Sequence, residues 1–150
     1  MTSSNTNSKF DIDKAKIKFF KDKTRFCDTK EIHKNILEYM NKNDYLIILG
    51  RPVWVVPHDY VKDKIAIRPF GLIFISDHVP KKFFEVIVYH EKVEEQYELD
   101  GSDSPHERAL EKEHQFLKET KLYNEFMNWL KDFSPFAYNQ RVDKWNDHFQ

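Results

Sequence analysis

The sequence predicts an α+β fold: a small sheet of three to four strands, then an antiparallel helix pair, then a C-terminal helix. Three observations predict it. β-Branched and aromatic runs broken by Gly and Pro occupy residues 45–76, and helical spacing of apolar residues takes over from Pro80. The 150 residues also include 13 Phe, 7 Tyr and 3 Trp among 40% hydrophobic residues, enough for one domain with its own core. That composition excludes a disordered or collagenous chain, and the lone Cys27 excludes an intrachain disulfide and a cysteine-based zinc site.

Taken in order, residues 1–9 are rich in Ser, Thr and Asn and are expected to form a disordered tail, with 10–150 as a single domain. The tail has no apolar stretch of a secretory signal, and no apolar run approaches the ~20 residues that span a bilayer, so a cytoplasmic protein without membrane contact is expected. Lys9–Lys34 carries nine basic and five acidic residues, with Ile12, Ile17, Phe19 and Phe20 marking a short packed element. Residues 29–42 place Ile32, Ile36, Leu37 and Met40 at helical spacing. YLIILGRPVWVVP (45–57), KIAIRP (64–69) and GLIFIS (71–76) supply the strands, punctuated by Gly50, Pro52, Pro57 and Pro69. Helices are expected from about Pro80 to Glu98, from Pro105 to Thr120 and over Leu122–Phe133. The LDGSDS loop (99–104) is short enough to make the first two antiparallel neighbours. Ser104, Pro105 and Glu107 read as a capping box with proline at the first helical position. The aromatic tail after Pro135, with Phe136, Tyr138, Trp145 and Phe149, is expected to pack back on the body.

With 24 basic and 25 acidic residues the net charge is −1, which argues against a protein that coats nucleic acid or anionic membrane. The cancellation is only global. Residues 85–119 hold eleven acidic and four basic residues, a local excess that repels phosphate, so nucleic acid is not an expected partner.

On a wheel at about 100° per residue, Phe83, Val86, Ile87, Val93 and Tyr97 form one apolar stripe of the first helix. His90 and Glu94 fall in its middle, within about 20° of Phe83. The second helix repeats the anomaly, with His106 and Glu113 on the stripe of Ala109, Leu110, Phe116 and Leu117. Burying a carboxylate unpaired costs several kcal/mol, so such groups neutralise, pair or bind a cation. Two His and one or two carboxylates on facing helices suit a divalent metal such as zinc with a position left for water. The same residues also fit a hydrogen-bonded His–Glu cluster that holds the helices in register.

The order of these elements resembles the zincin metallopeptidases, especially the small minigluzincin type. The resemblance rests on the strand GLIFIS, the turn DHVP, a helix carrying His90-Glu91-Lys92-Val93-Glu94 (HExxE) and a second helix carrying His106-Glu107-Arg108-Ala109 (HxxA). It covers residues 64–120, and departs from the family's HExxH and ExxA pattern in that the second and third ligands are exchanged. It implies a zincin-like domain with His90, Glu94 and His106 as zinc ligands and Glu91 as general base. The implied function is a metal-dependent hydrolase, most naturally a small metallopeptidase acting on a peptide or protein through a metal-activated water. Glu113 is then either a fourth ligand, which would make the site structural, or a hydrogen-bond acceptor for a ligand His. The resemblance further implies that GLIFIS is an edge strand pairing with extended substrate, whereas the residues alone read as an ordinary sheet strand. Arg68 or His78 is a candidate to stabilise an oxyanion.

Three rival readings follow from the same residues. One is a non-catalytic metal-binding domain in which the ion staples the helix pair. Another is a carboxylate-rich redox site built on Glu111 and His114, although di-iron bundles need two such pairs and only one is present. The last is an adaptor acting through the basic 9–34 stretch. Substrate, pathway and oligomeric state are not legible in the sequence.

Overall fold

A computed structural model describes residues 10–22, 29–61 and 64–149, the last three of these as backbone only. The expected tail at 1–9 and Cys27 lie outside the described residues. The fold is α+β, and the chain divides into two compact units between Val88 and Tyr89.

The first unit opens with α1 (Ile12–Lys21), whose N-cap Asp11 accepts the Lys14 amide at 3.1 Å, and α2 (Lys30–Lys42), capped likewise by Thr29 on Ile32. α1 buries Ala15 and Phe19, and α2 buries His33, Ile36 and Met40. The buried His33 has a partner, since its Nε2–H donates to the Phe19 carbonyl at 2.7 Å and ties the two helices together. The sheet has four strands, β1 (Leu46–Ile48), β2 (Arg51–Val56), β3 (Ala66–Ile67) and β4 (Ile73–Ser76), in the order β1-β2-β4-β3. β1 and β2 form a hairpin whose two turn residues, Leu49 and Gly50, both have positive φ, the twist that matches a tight antiparallel turn. β2 and β4 are parallel, in register from Val53↔Ile73 to Val56↔Ser76, and Trp54 stacks on Phe74 at 5.5 Å over the core.

This topology corrects the edge-strand expectation for GLIFIS. β4 lies between β2 and β3, and all four of its residues are buried. The physical reason is in the residues: a continuous apolar run has no polar face to show to solvent and belongs inside a sheet. Pairing with a substrate strand is not open to it along this register.

The second unit contains α3 (Phe84–Leu99) from Tyr89 onward, followed by α4 (Pro105–Glu119), α5 (Tyr123–Phe133) and α6 (Pro135–Phe149). A single 3-10 turn, Lys81–Phe83, leads into α3 where the sequence pattern suggests helix from Pro80. α3 and α4 run antiparallel, since Tyr89 stacks on Phe116 at 4.9 Å while Arg108 lies over the Tyr97 ring at 5.6 Å. Leu110, Leu117, Phe126, Leu130 and Trp145 form the unit's buried interior. The capping box does not form. Ser104 is the N-cap of α4 without a side-chain hydrogen bond, its own amide donates to Ser102 Oγ at 3.3 Å, and the Glu107 carboxylate pairs with Lys144 Nζ at 3.2 Å. Pro105 keeps its place at the start of the helix.

The tail after Pro135 is a helix, α6, which packs back through Trp145, fully buried with its indole N–H donating to the Leu110 carbonyl at 3.1 Å, while Phe136 is 77% exposed and the Phe149 side chain lies outside the described residues. Ser134 starts α6 by accepting the Ala137 amide on its hydroxyl at 3.2 Å. Among the described residues no helix is long and apolar enough to cross a membrane.

Candidate metal centre

The helix pair places its anomalous polar residues in two hydrogen-bonded sets, both within the second unit. In the first, His90 of α3 faces Glu113 of α4, with Nδ1 and Oε1 2.8 Å apart. Glu113 is also gripped by Arg141 of α6, from Nε to Oε2 at 2.6 Å and from Nη2 to Oε1 at 3.0 Å. All three side chains are buried. Burial opposes the Glu113 charge, but the Arg141 guanidinium and the His90 hydrogen bond outweigh it and lower its pKa from 4.5 to about 2. Glu113 is therefore a carboxylate with both oxygens engaged.

In the second set, His106 Nδ1 lies 3.0 Å from Glu94 Oε2, and Nε2 lies 3.4 Å from Gln140 Oε1. The Glu94 hydrogen bond raises the His106 pKa above 6.5 against the desolvation that lowers it, with a smaller contribution from Gln140. The His106 side chain is 43% exposed and Glu94 is 18% exposed, so this set is open to solvent where the first is not.

The sets adjoin. The His90 and His106 rings are 5.2 Å apart, and His90, Glu94 and His106 each bring one ligand atom to within 4.8 Å of the others. Donors on a tetrahedral zinc stand roughly 3.4 Å apart, given bonds of about 2.0–2.2 Å, so the widest pair of the trio would close by at most about 1.4 Å to hold an ion. The donor chemistry fits as well, two imidazoles and a carboxylate being an ordinary set for zinc. His90 donates its Nδ1–H to Glu113, whereas His106 has an acceptor at each nitrogen, Glu94 at Nδ1 (3.0 Å) and Gln140 at Nε2 (3.4 Å). An ion held by the trio would take His90 Nε2 and, by displacing the proton that now bridges to Glu94, His106 Nδ1, with Gln140 then accepting the Nε2–H.

The structure thus brings together His90, Glu94 and His106, and puts Glu113 behind His90. Glu91 follows His90 on α3 and is half-buried. Glu111 and His114 do not converge: Glu111 is 3.6 Å from Lys144, whereas His114 is buried and stacked on Trp145 at 4.6 Å. Arg68 and His78 belong to the first unit, where the His78 ring stacks on His58 at 4.3 Å. Sequence reasoning missed Gln140 and Arg141. A signal for them existed, since Ser134-Pro135 is a helix start, and Tyr138, Arg141, Val142 and Trp145 keep helical spacing with a charge on the apolar stripe.

A comparison with protein families, with characterised proteins and with solved structures finds no match to this chain.

Proposed function

We propose that this chain is a zinc-dependent hydrolase of zincin-like type, with His90, Glu94 and His106 as the metal ligands and Glu91 as general base. One observation carries the reading: Glu113, the candidate fourth ligand, has both oxygens taken by Arg141 and His90. Three protein ligands remain, the number that leaves a position for water or substrate, and the exposed side of His106 gives that position access to solvent.

When bound, the ion supplies Lewis acidity, which acidifies water and polarises a carbonyl. The chain's own residues do the rest. Glu113 keeps the His90 proton on Nδ1 and turns Nε2 to the ion, and Gln140 does the corresponding service for His106. Glu94 contributes negative charge from one helical turn beyond His90, on the same face. Glu91, at the edge of that face, takes the proton of the attacking water and passes it to the leaving group.

The strand on which peptide pairing rests in the sequence reading is internal, with β2 and β3 on its two sides.

The metal itself is tested by elemental analysis of the purified protein. We expect about one zinc ion per chain in the wild type and a near-complete loss in His90→Ala and in His106→Ala. Equal, negligible metal in all three proteins contradicts the proposal.

A further inference from the structure

We infer that the C-terminal helix α6 completes this site, with Arg141 acting through Glu113 and Gln140 acting directly as positioning residues that set the metal affinity. The inference rests on the metal-centre reading and extends it to a helix outside the HExxE…HxxA pair. Neighbouring residues of α6 reach both ligand histidines from behind: Arg141 fixes the carboxylate that accepts the His90 Nδ1–H, and Gln140 accepts the His106 Nε2–H. α6 is itself pinned to α4 by three further contacts. These are the Trp145 indole on the Leu110 carbonyl, and Lys144 between Glu107 and Glu111.

The arrangement does more than satisfy buried polarity. A neutral imidazole carries one proton, and whichever nitrogen donates it elsewhere leaves the other free to ligate. Glu113, anchored by two N–H bonds from Arg141, is a fixed acceptor that makes Nδ1 the protonated atom and holds the ring plane. Such partners change metal affinity by about 10–100-fold when removed. Because α6 orients the ligands, bound metal in turn stabilises the docked α6; the coupling is reciprocal.

The test compares zinc affinities, measured by competition with a chromophoric chelator, in full-length variants that keep the fold. Replacing a buried ion pair by apolar groups of similar size is often neutral for stability. Glu113→Leu with Arg141→Met therefore removes the acceptor without burying a lone charge. Glu113→Gln with Arg141→Met restores a neutral amide acceptor for the His90 Nδ1–H. We expect the first double variant to melt near the wild type yet bind zinc about 10–100-fold more weakly, and the second to recover most of that loss. Gln140→Ala, at a longer hydrogen bond, should lie at the lower end, about 10-fold. On adding zinc, the α6 amides of the wild type should gain protection from hydrogen exchange, and those of the first double variant should gain less. Zinc on the wild type with unchanged affinity in both double variants overturns this inference and leaves the metal centre standing. No zinc on the wild type overturns the metal centre and this inference together.

Discussion

Glu91→Gln is expected to retain the zinc of the wild type and to turn substrate over roughly 10²–10⁴-fold more slowly, the factor that a positioned general base contributes. The amide matches the carboxylate in size and cannot accept the proton of an attacking water. Glu91 sits one residue beyond His90, half-buried at the edge of the face that carries the ligands, and is outside the trio whose ligand atoms converge. Its loss should therefore fall on turnover and spare the metal. The check is metal content alongside hydrolysis of a broad panel of ester and peptide substrates. Active wild type with equally active Glu91→Gln removes Glu91 from the mechanism. A variant that loses metal together with activity makes Glu91 a ligand. A zinc-loaded wild type inactive on every substrate favours the stapling role.

The largest stability effect is expected at Arg141. Arg141→Ala leaves the Glu113 carboxylate buried with His90 as its one remaining partner in the set, and breaking a buried pair on one side costs about 3–5 kcal/mol. For a chain of this size that is a fall in melting temperature of about 10 °C. Removing both partners together, as in Glu113→Leu with Arg141→Met, should be far milder, so the double variant melts well above the single one. The same pair contributes to acid stability. Glu113 has its pKa lowered from 4.5 to about 2, so its contribution is fully present above 4.5 and is lost as pH falls toward 2. Urea unfolding between those values should show stability declining more steeply with falling pH in the wild type than in the double variant. An Arg141→Ala protein as stable as the wild type, or an identical acid limb in the double variant, contradicts this account of the pair.

Much of the architecture was legible because local chemistry and tertiary structure agree. Val and Ile runs became strands, and the Ile32, Ile36 and Met40 spacing became α2. The polar residues at His90, Glu94, His106 and Glu113 stood out against the apolar stripes they interrupt, and those four do gather on facing sides of α3 and α4. What the sequence did not reveal lies in long-range partnership. Arg141 is 28 positions from Glu113, and no local pattern says which buried acid an arginine on a distant helix will meet. Glu107 illustrates the converse: a capping box is a local preference, yet the Ser104 amide donates to Ser102 and the Glu107 carboxylate pairs with a lysine 37 positions away. The fate of β4 was readable from its residues, which read as an ordinary sheet strand; only the resemblance implied an edge, and an uninterrupted apolar run argues for an internal strand whatever family the flanking helices suggest.

The central claim is a three-ligand metal centre with Glu113 behind it. Its most direct test is a crystal structure of the zinc-loaded protein with anomalous data collected at the zinc edge. The account predicts one strong anomalous peak bonded to His90 Nε2, Glu94 and His106 Nδ1, with Glu113 still held by Arg141. A peak that takes Glu113 as a ligand, or no peak among these side chains, contradicts it.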